Sequence, residues 1–207
     1  MWIRSDDFAD GGSIPGDNAF NVIDPDDHAR FGGNVNPHLE WGDVPDGVRS
    51  FALLVIDVDV PTSPDDVNKE GREVPEDLPR TDFTHWALID LDPGSRSLAR
   101  GAYSEGVTKG GKPGLSDGPR EGVNDYTSWF AGDPDLGGTY KGYDGPCPPW
   151  NDSLIHHYVF TLYALDVPTL ELTGDFTASD VEDAMEGHIL DSAEITGTYT
   201  LNPRLAS

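Results

Sequence analysis

Four short runs of apolar and β-branched residues, set apart by long stretches rich in glycine and proline, limit most sharply what this chain can fold into. They are Ser50–Asp57, Thr84–Leu91, His156–Leu165 and Ala193–Leu201. The first is almost continuously apolar, as expected of a strand covered on both faces, and the last alternates strictly. Weaker strand patterns lie at Asn36–Trp41 and Ala99–Tyr103. A single helix is predicted from Ser179 to Leu190. Ser179 and Glu182 have capping-box spacing there, and Val181, Ala184, Met185 and His188 share one face. Thr62–Asp82 and Gly101–Trp150 read as loops, and a loop as long as the second inside a compact domain is usually functional or poorly ordered. Many short strands with few helices predict a mainly β chain, an antiparallel sandwich of two sheets forming one domain over residues 1–207.

Composition excludes several functions. The chain carries 13 Lys and Arg against 38 Asp and Glu, a net charge of −25. Nucleic-acid binding needs clustered basic residues to neutralise phosphates, so no nucleic-acid partner is expected. No polybasic segment or long apolar run offers stable membrane anchoring. Met1–Asp7 lacks the apolar stretch of a signal peptide, and Cys147 is the only cysteine, so a cytoplasmic setting is expected. The acids are spread along the whole chain, in a composition that resembles that of halophilic proteins. Their repulsion would be screened in concentrated salt.

Three segments bring polar side chains to strand ends. In Asp57-Val58-Asp59-Val60-Pro61 the two acids would share a strand face, roughly 6.6–7 Å apart at Cα, before Pro61 ends the strand. A pair of turn-forming Asp residues fits the same spacing. His85-Trp86 opens the second strong run, where a lone His is often just a satisfied core residue. Gly142–Pro149 forms a rigid turn containing Cys147, a residue type that usually serves as a small buried hydrophobe. The next strand places His156 and Tyr158 on one face and His157 on the other. His28, His38 and His188 lack metal-ligand spacing and read as structural or exposed.

Taken in order, Asp57-x-Asp59-x-Pro61, His85-Trp86, Gly-Tyr-x-Gly-Pro-Cys-Pro-Pro at 142–149 and His156-x-Tyr158 resemble the phosphatidylethanolamine-binding protein family, which includes Raf kinase inhibitor protein. The bacterial and archaeal branch is the closest in pattern, and Glu121–Tyr126 and Met185–Leu190 also resemble it. The chain departs from the pattern at Val58 (usually Pro), Val60 (usually Ala) and His157 (usually Arg). Segments 62–82 and 127–141 look longer than usual, and both would rim the pocket. The resemblance implies a two-sheet β-sandwich with a small anion pocket for phosphate, phosphorylethanolamine or acetate. It places Asp57, His85, His156 and Tyr158 in that pocket, shaped by Asp59, Pro61, Trp86 and Cys147. His85 and Tyr158 would donate to the anion, and Asp57 would orient a His or meet an ammonium head.

Two functions follow. One is a binding module for a small phosphate- or carboxylate-bearing ligand or phospholipid headgroup, regulating or inhibiting an unnamed protein partner. It needs no cofactor, and the resemblance adds a homodimer. The alternative is a hydrolase using Asp57 and Asp59 with His85 and His156, assisted by a metal. The chain has no Gly-x-Ser-x-Gly elbow and no phosphate-cradling loop.

Overall fold

A computed structural model describes residues 1–206. In chain order the strands are β1 (Trp2–Arg4), β2 (Asn21–Asp24), β3 (His28–Phe31), β4 (Leu39–Gly42), β5 (Ser50–Pro61), β6 (Arg80–Leu91), β7 (Ser97–Leu98), β8 (Arg120–Glu121), β9 (His156–Leu165) and β10 (Ile189–Tyr199). Among the described residues, two α-helices, α1 (Tyr126–Trp129) and α2 (Ala178–Met185), interrupt the later strands. The larger sheet is antiparallel, in the order β10-β9-β5-β6-β8, and the smaller runs β1-β4-β7. Strands β2 and β3 form a separate hairpin. The mainly β, two-sheet class predicted from the sequence is therefore observed.

The apolar run of β5 is nearly continuous because both its faces are covered. Phe51, Leu53 and Val55 join Leu39 and Trp41 of the smaller sheet in the main core. Ala52 and Leu54 face the other way, against Val181 and Met185 of α2. Burying a Leu- or Phe-sized side chain contributes about 1.5–3 kcal/mol, so the paired faces fix the register of the central strand.

Two irregularities in the β5–β6 ladder shape the functional end. Val55 pairs with Trp86 and Ile56 with Thr84, leaving His85 as an extra residue between them. Asp57 pairs with Phe83 but Val60 with Thr81, so β5 holds an extra residue before Pro61. Such bulges bend a strand and re-aim its side chains.

The helix differs from the expected one at both ends. Its N-cap is Thr177, whose capping box uses Asp180 rather than the Ser179–Glu182 pair. It stops at Met185. Gly187 then adopts φ 81°, and Ile189 and Leu190 enter β10 instead of a final helical turn. The expected strand at Asn36–Trp41 starts later, at Leu39. Ala99–Tyr103 is a turn, preceded by the two-residue β7. The Asn36 amide explains that turn: Nδ2 donates to the carbonyl of Ala99, and Oδ1 accepts from the amides of Tyr103 and Ser104. Those backbone groups therefore have no need of a ladder. Within the long 101–150 segment, β8 and α1 form. Lys112 ties the stretch down by pairing with Asp144 at 3.1 Å and donating to the Tyr143 carbonyl. Among the described residues, no helix is long and apolar enough to cross a membrane.

Candidate ligand-binding site

At the end of the larger sheet, an open cavity of about 210 Å³ lies between the ends of β5, β6 and β9 and two loops. Its polar floor comes from Asp57, His85 and His156. Pro61 and Cys147 also line it, together with Pro64, Val67 and Asn68 of the 62–79 loop. Phe83, Tyr126 and Trp129 give it an aromatic wall.

His156 is completely buried and is held from both sides. Its Nδ1 donates to Asp57 Oδ2 at 2.7 Å and its Nε2 to Asp152 Oδ2 at 3.1 Å. Burial alone would lower its pKa, but the charge of Asp57 and the bonds to both carboxylates outweigh it and raise the pKa to about 9. At neutral pH the ring is therefore an imidazolium. Asp152 also takes a bidentate contact from Arg80, at 2.7 and 3.0 Å. Arg80, Asp152, His156 and Asp57 thus form a row of alternating charge whose formal sum is zero, and every proton on His156 is committed.

His85 differs. Its Nδ1 lies 2.7 Å from the carbonyl oxygen of Asp144. A carbonyl only accepts, so Nδ1 carries the proton. Burial lowers the ring's pKa against the opposing charges of Asp57, Asp144 and Asp125. The neutral ring presents the Nε2 lone pair to the cavity. Asp144 is itself fixed by buried amides, with Oδ1 accepting from Asn34 and Oδ2 from Asn124.

Three residues assigned to the site by resemblance lie outside the cavity lining. Asp59 is swung away by the extra residue in β5. Its amide donates to Asp57 Oδ1 at 2.9 Å, while its carboxylate accepts from the backbone amide and ring of His157, both at 2.7 Å. The two acids therefore form a turn with a rim contact, not a carboxylate pair facing one space. Trp86 points into the core, and its Nε1 donates to Glu121. Tyr158 is buried behind His85, edge-on at 5.1 Å between ring centroids. Its hydroxyl has no partner among the described residues. Burial, followed by the nearby Asp57 charge, pushes its pKa well up.

Cys147 Sγ accepts from Asn21 Nδ2 at 3.2 Å, and burial pushes the thiol up to about 12. It remains a thiol at any physiological pH, which removes it as a nucleophile. Sequence reasoning missed Arg80, Asp152, Asp144 and the aromatic wall. Asp152 stands four residues before His156, a spacing that would have drawn notice only if the intervening turn had been foreseen.

A small concave site at one end of a two-sheet β fold, with buried titratable groups and a largely apolar wall, is the candidate functional site of a mainly β protein. Residues 4–200 match the family model described as phosphatidylethanolamine-binding protein, and the chain belongs to that family. A UPF0098 protein of Methanothermobacter thermautotrophicus is 34% identical over 175 residues, covering 84% of this chain and 89% of the relative. The UPF0098 protein YbhB of Escherichia coli is 29% identical over 200 residues, covering 97% of this chain and 100% of YbhB. Among solved structures, the Chlamydia trachomatis homologue CT736 is 29% identical, with a TM-score of 0.64 and coverage of 96% of this chain and 95% of that one. Escherichia coli YbcL shares the fold at 24% identity and a TM-score of 0.68, over 96% of this chain and 97% of that one.

Proposed function

We propose that this chain is a binding module whose cavity receives a small phosphate- or carboxylate-bearing ligand, and that occupancy regulates a protein partner. The observation that supports this best is the floor of the cavity. His85 is held rigidly by Asp144 with Nε2 left open, beside a charge row whose own protons are all committed. Rigid polar groups in an otherwise apolar recess favour binding and orientation of one small polar group. The hydrolase alternative draws no support from the geometry. Asp59 is engaged with His157, and Cys147 is held as a thiol. None of the relatives named above carries an enzyme name.

Calorimetric titration with inorganic phosphate at fixed salt tests the reading. His85→Ala should weaken binding by roughly 10- to 150-fold, since a hydrogen bond to a charged group is worth about 1.5–3 kcal/mol. His188→Ala, at an exposed residue paired with Asp166, should leave affinity unchanged. A folded His85→Ala protein that binds phosphate as the parent does would overturn the site.

A further inference from the structure

The sequence led to the expectation that His85 donates to a bound anion, but the structure gives the opposite polarity. Nδ1–H is spent on the Asp144 carbonyl at 2.7 Å, so the neutral ring meets a ligand with a lone pair. Asp57 adds a second acceptor at the floor. Among the described residues, no Lys or Arg lines the cavity. The donors available to a ligand are weak or neutral. Asn68 has Nδ2 to offer, because its Oδ1 accepts from the Trp150 amide, and Cys147 has its thiol.

Building on the binding-site reading above, we infer that the pocket selects oxyacids that carry their own proton, such as a phosphate monoester with a P–OH, and rejects fully ionised anions such as sulfate, phosphodiesters and chloride. The ligand's hydroxyl donates to His85 Nε2, and its remaining oxygens accept from the neutral donors. A fully ionised tetrahedral anion would set a charged oxygen against two acceptors. Discrimination of this kind is large, because the mismatched analogue leaves buried polar groups unpaired.

The groups around His85 keep this polarity. Asp57 faces it from β5, Asp144 from the loop, Asp125 from the start of α1, and Tyr158 from β9. Tyr126 stands edge-on at 5.5 Å. The three acids favour a charged ring, but Lys112 pairs with Asp144 and His156 with Asp57. Burial prevails and lowers the His85 pKa, so the ring remains an acceptor at neutral pH. In concentrated chloride this device also keeps the site from filling with the commonest anion, a form of specificity by repulsion. The same chemistry separates two sources of phosphate: a free or terminal monoester carries the proton, and a phosphodiester lipid headgroup does not.

The test is calorimetry on the intact protein with methyl phosphate, dimethyl phosphate and sulfate at pH 6, 7 and 8, repeated at two chloride concentrations. Methyl phosphate should bind most tightly at pH 6. Its apparent affinity should fall about tenfold per pH unit above its second ionisation, near pH 6. Sulfate and dimethyl phosphate should bind at least about 100-fold more weakly at pH 6, and chloride should not compete. Equal binding of sulfate and methyl phosphate, or affinity for methyl phosphate that is flat with pH, would overturn the inference while sparing the anion site. Tighter binding of dimethyl than of methyl phosphate would overturn it in favour of a lipid headgroup. Binding of none of the three would overturn both the inference and the binding-site reading.

Discussion

His156 shows most plainly how single residues set the chemistry of the cavity. Its two ring nitrogens bridge Asp57 and Asp152, which would otherwise face each other in a buried space. Because its folded pKa is raised to about 9 from an ordinary value of about 6.5, it contributes stability that is fully present below pH 6.5. That contribution is lost as pH rises through 9. Asp152 has the opposite sign: burial opposes its ionisation, but the bonds from His156 and Arg80 prevail and lower its pKa. Its contribution is present above the ordinary carboxylate range and is lost in acid. Denaturant unfolding should therefore show stability falling between pH 7 and 9.5. His156→Ala should cost about 3–5 kcal/mol at pH 7, because it leaves the buried Asp57 without its counter-charge while Asp152 keeps only Arg80, and should flatten the alkaline fall. A variant whose stability matches the parent at pH 7 would contradict the buried row.

At the scale of elements, what was legible in the sequence divides cleanly. The central strands were readable because their apolar runs are buried on both faces and their turns are rich in glycine and proline. The site was only partly readable. Asp57, Pro61, His85, Cys147 and His156 do meet at the cavity, but the resemblance also places Asp59 there, and a regular strand would put it on the same face as Asp57. An inserted ladder residue leaves no mark on a hydrophobic pattern, and it was this insertion that turned Asp59 towards His157. Arg80 and Asp152 come together from 72 positions apart in the chain, a pairing that no local pattern encodes. The cap of α2 was misplaced for a simpler reason: Thr177 and Ser179 are both good capping residues, and only the backbone path chooses between them. Thr177 accepts from the Asp180 amide, so Thr177→Ala should lower stability by about 1 kcal/mol, while Ser179→Ala should change it by only a few tenths. Thermal melts of the two variants would decide, and a reversed order would contradict the cap.

For the whole molecule, charge dominates. With a net charge of −25, most of the few cations are already committed to neighbours, as Arg80 is to Asp152, Lys112 to Asp144 and Arg120 to Asp90. Self-repulsion among the remaining acids should depress stability in dilute buffer and be relieved as the Debye length falls from about 10 Å at 0.1 M salt to about 3 Å at 1 M. The unfolding midpoint should rise through a KCl series, and a flat or falling midpoint would contradict this reading. The same screening governs self-association, so the homodimer implied by family resemblance should form at high salt and dissociate at low salt; sedimentation showing a monomer at molar salt would contradict this. None of these bulk properties depends on the cavity, so they can be separated from its function. The central claim, that the cavity floor holds a small oxyacid at His85, is tested most directly by a crystal of the protein soaked in methyl phosphate at pH 6. The account predicts a phosphate oxygen within about 2.6–3.2 Å of His85 Nε2, with the Nδ1 contact to Asp144 intact. A phosphate bound elsewhere with the cavity empty, or one held only by surface Lys and Arg, would contradict it.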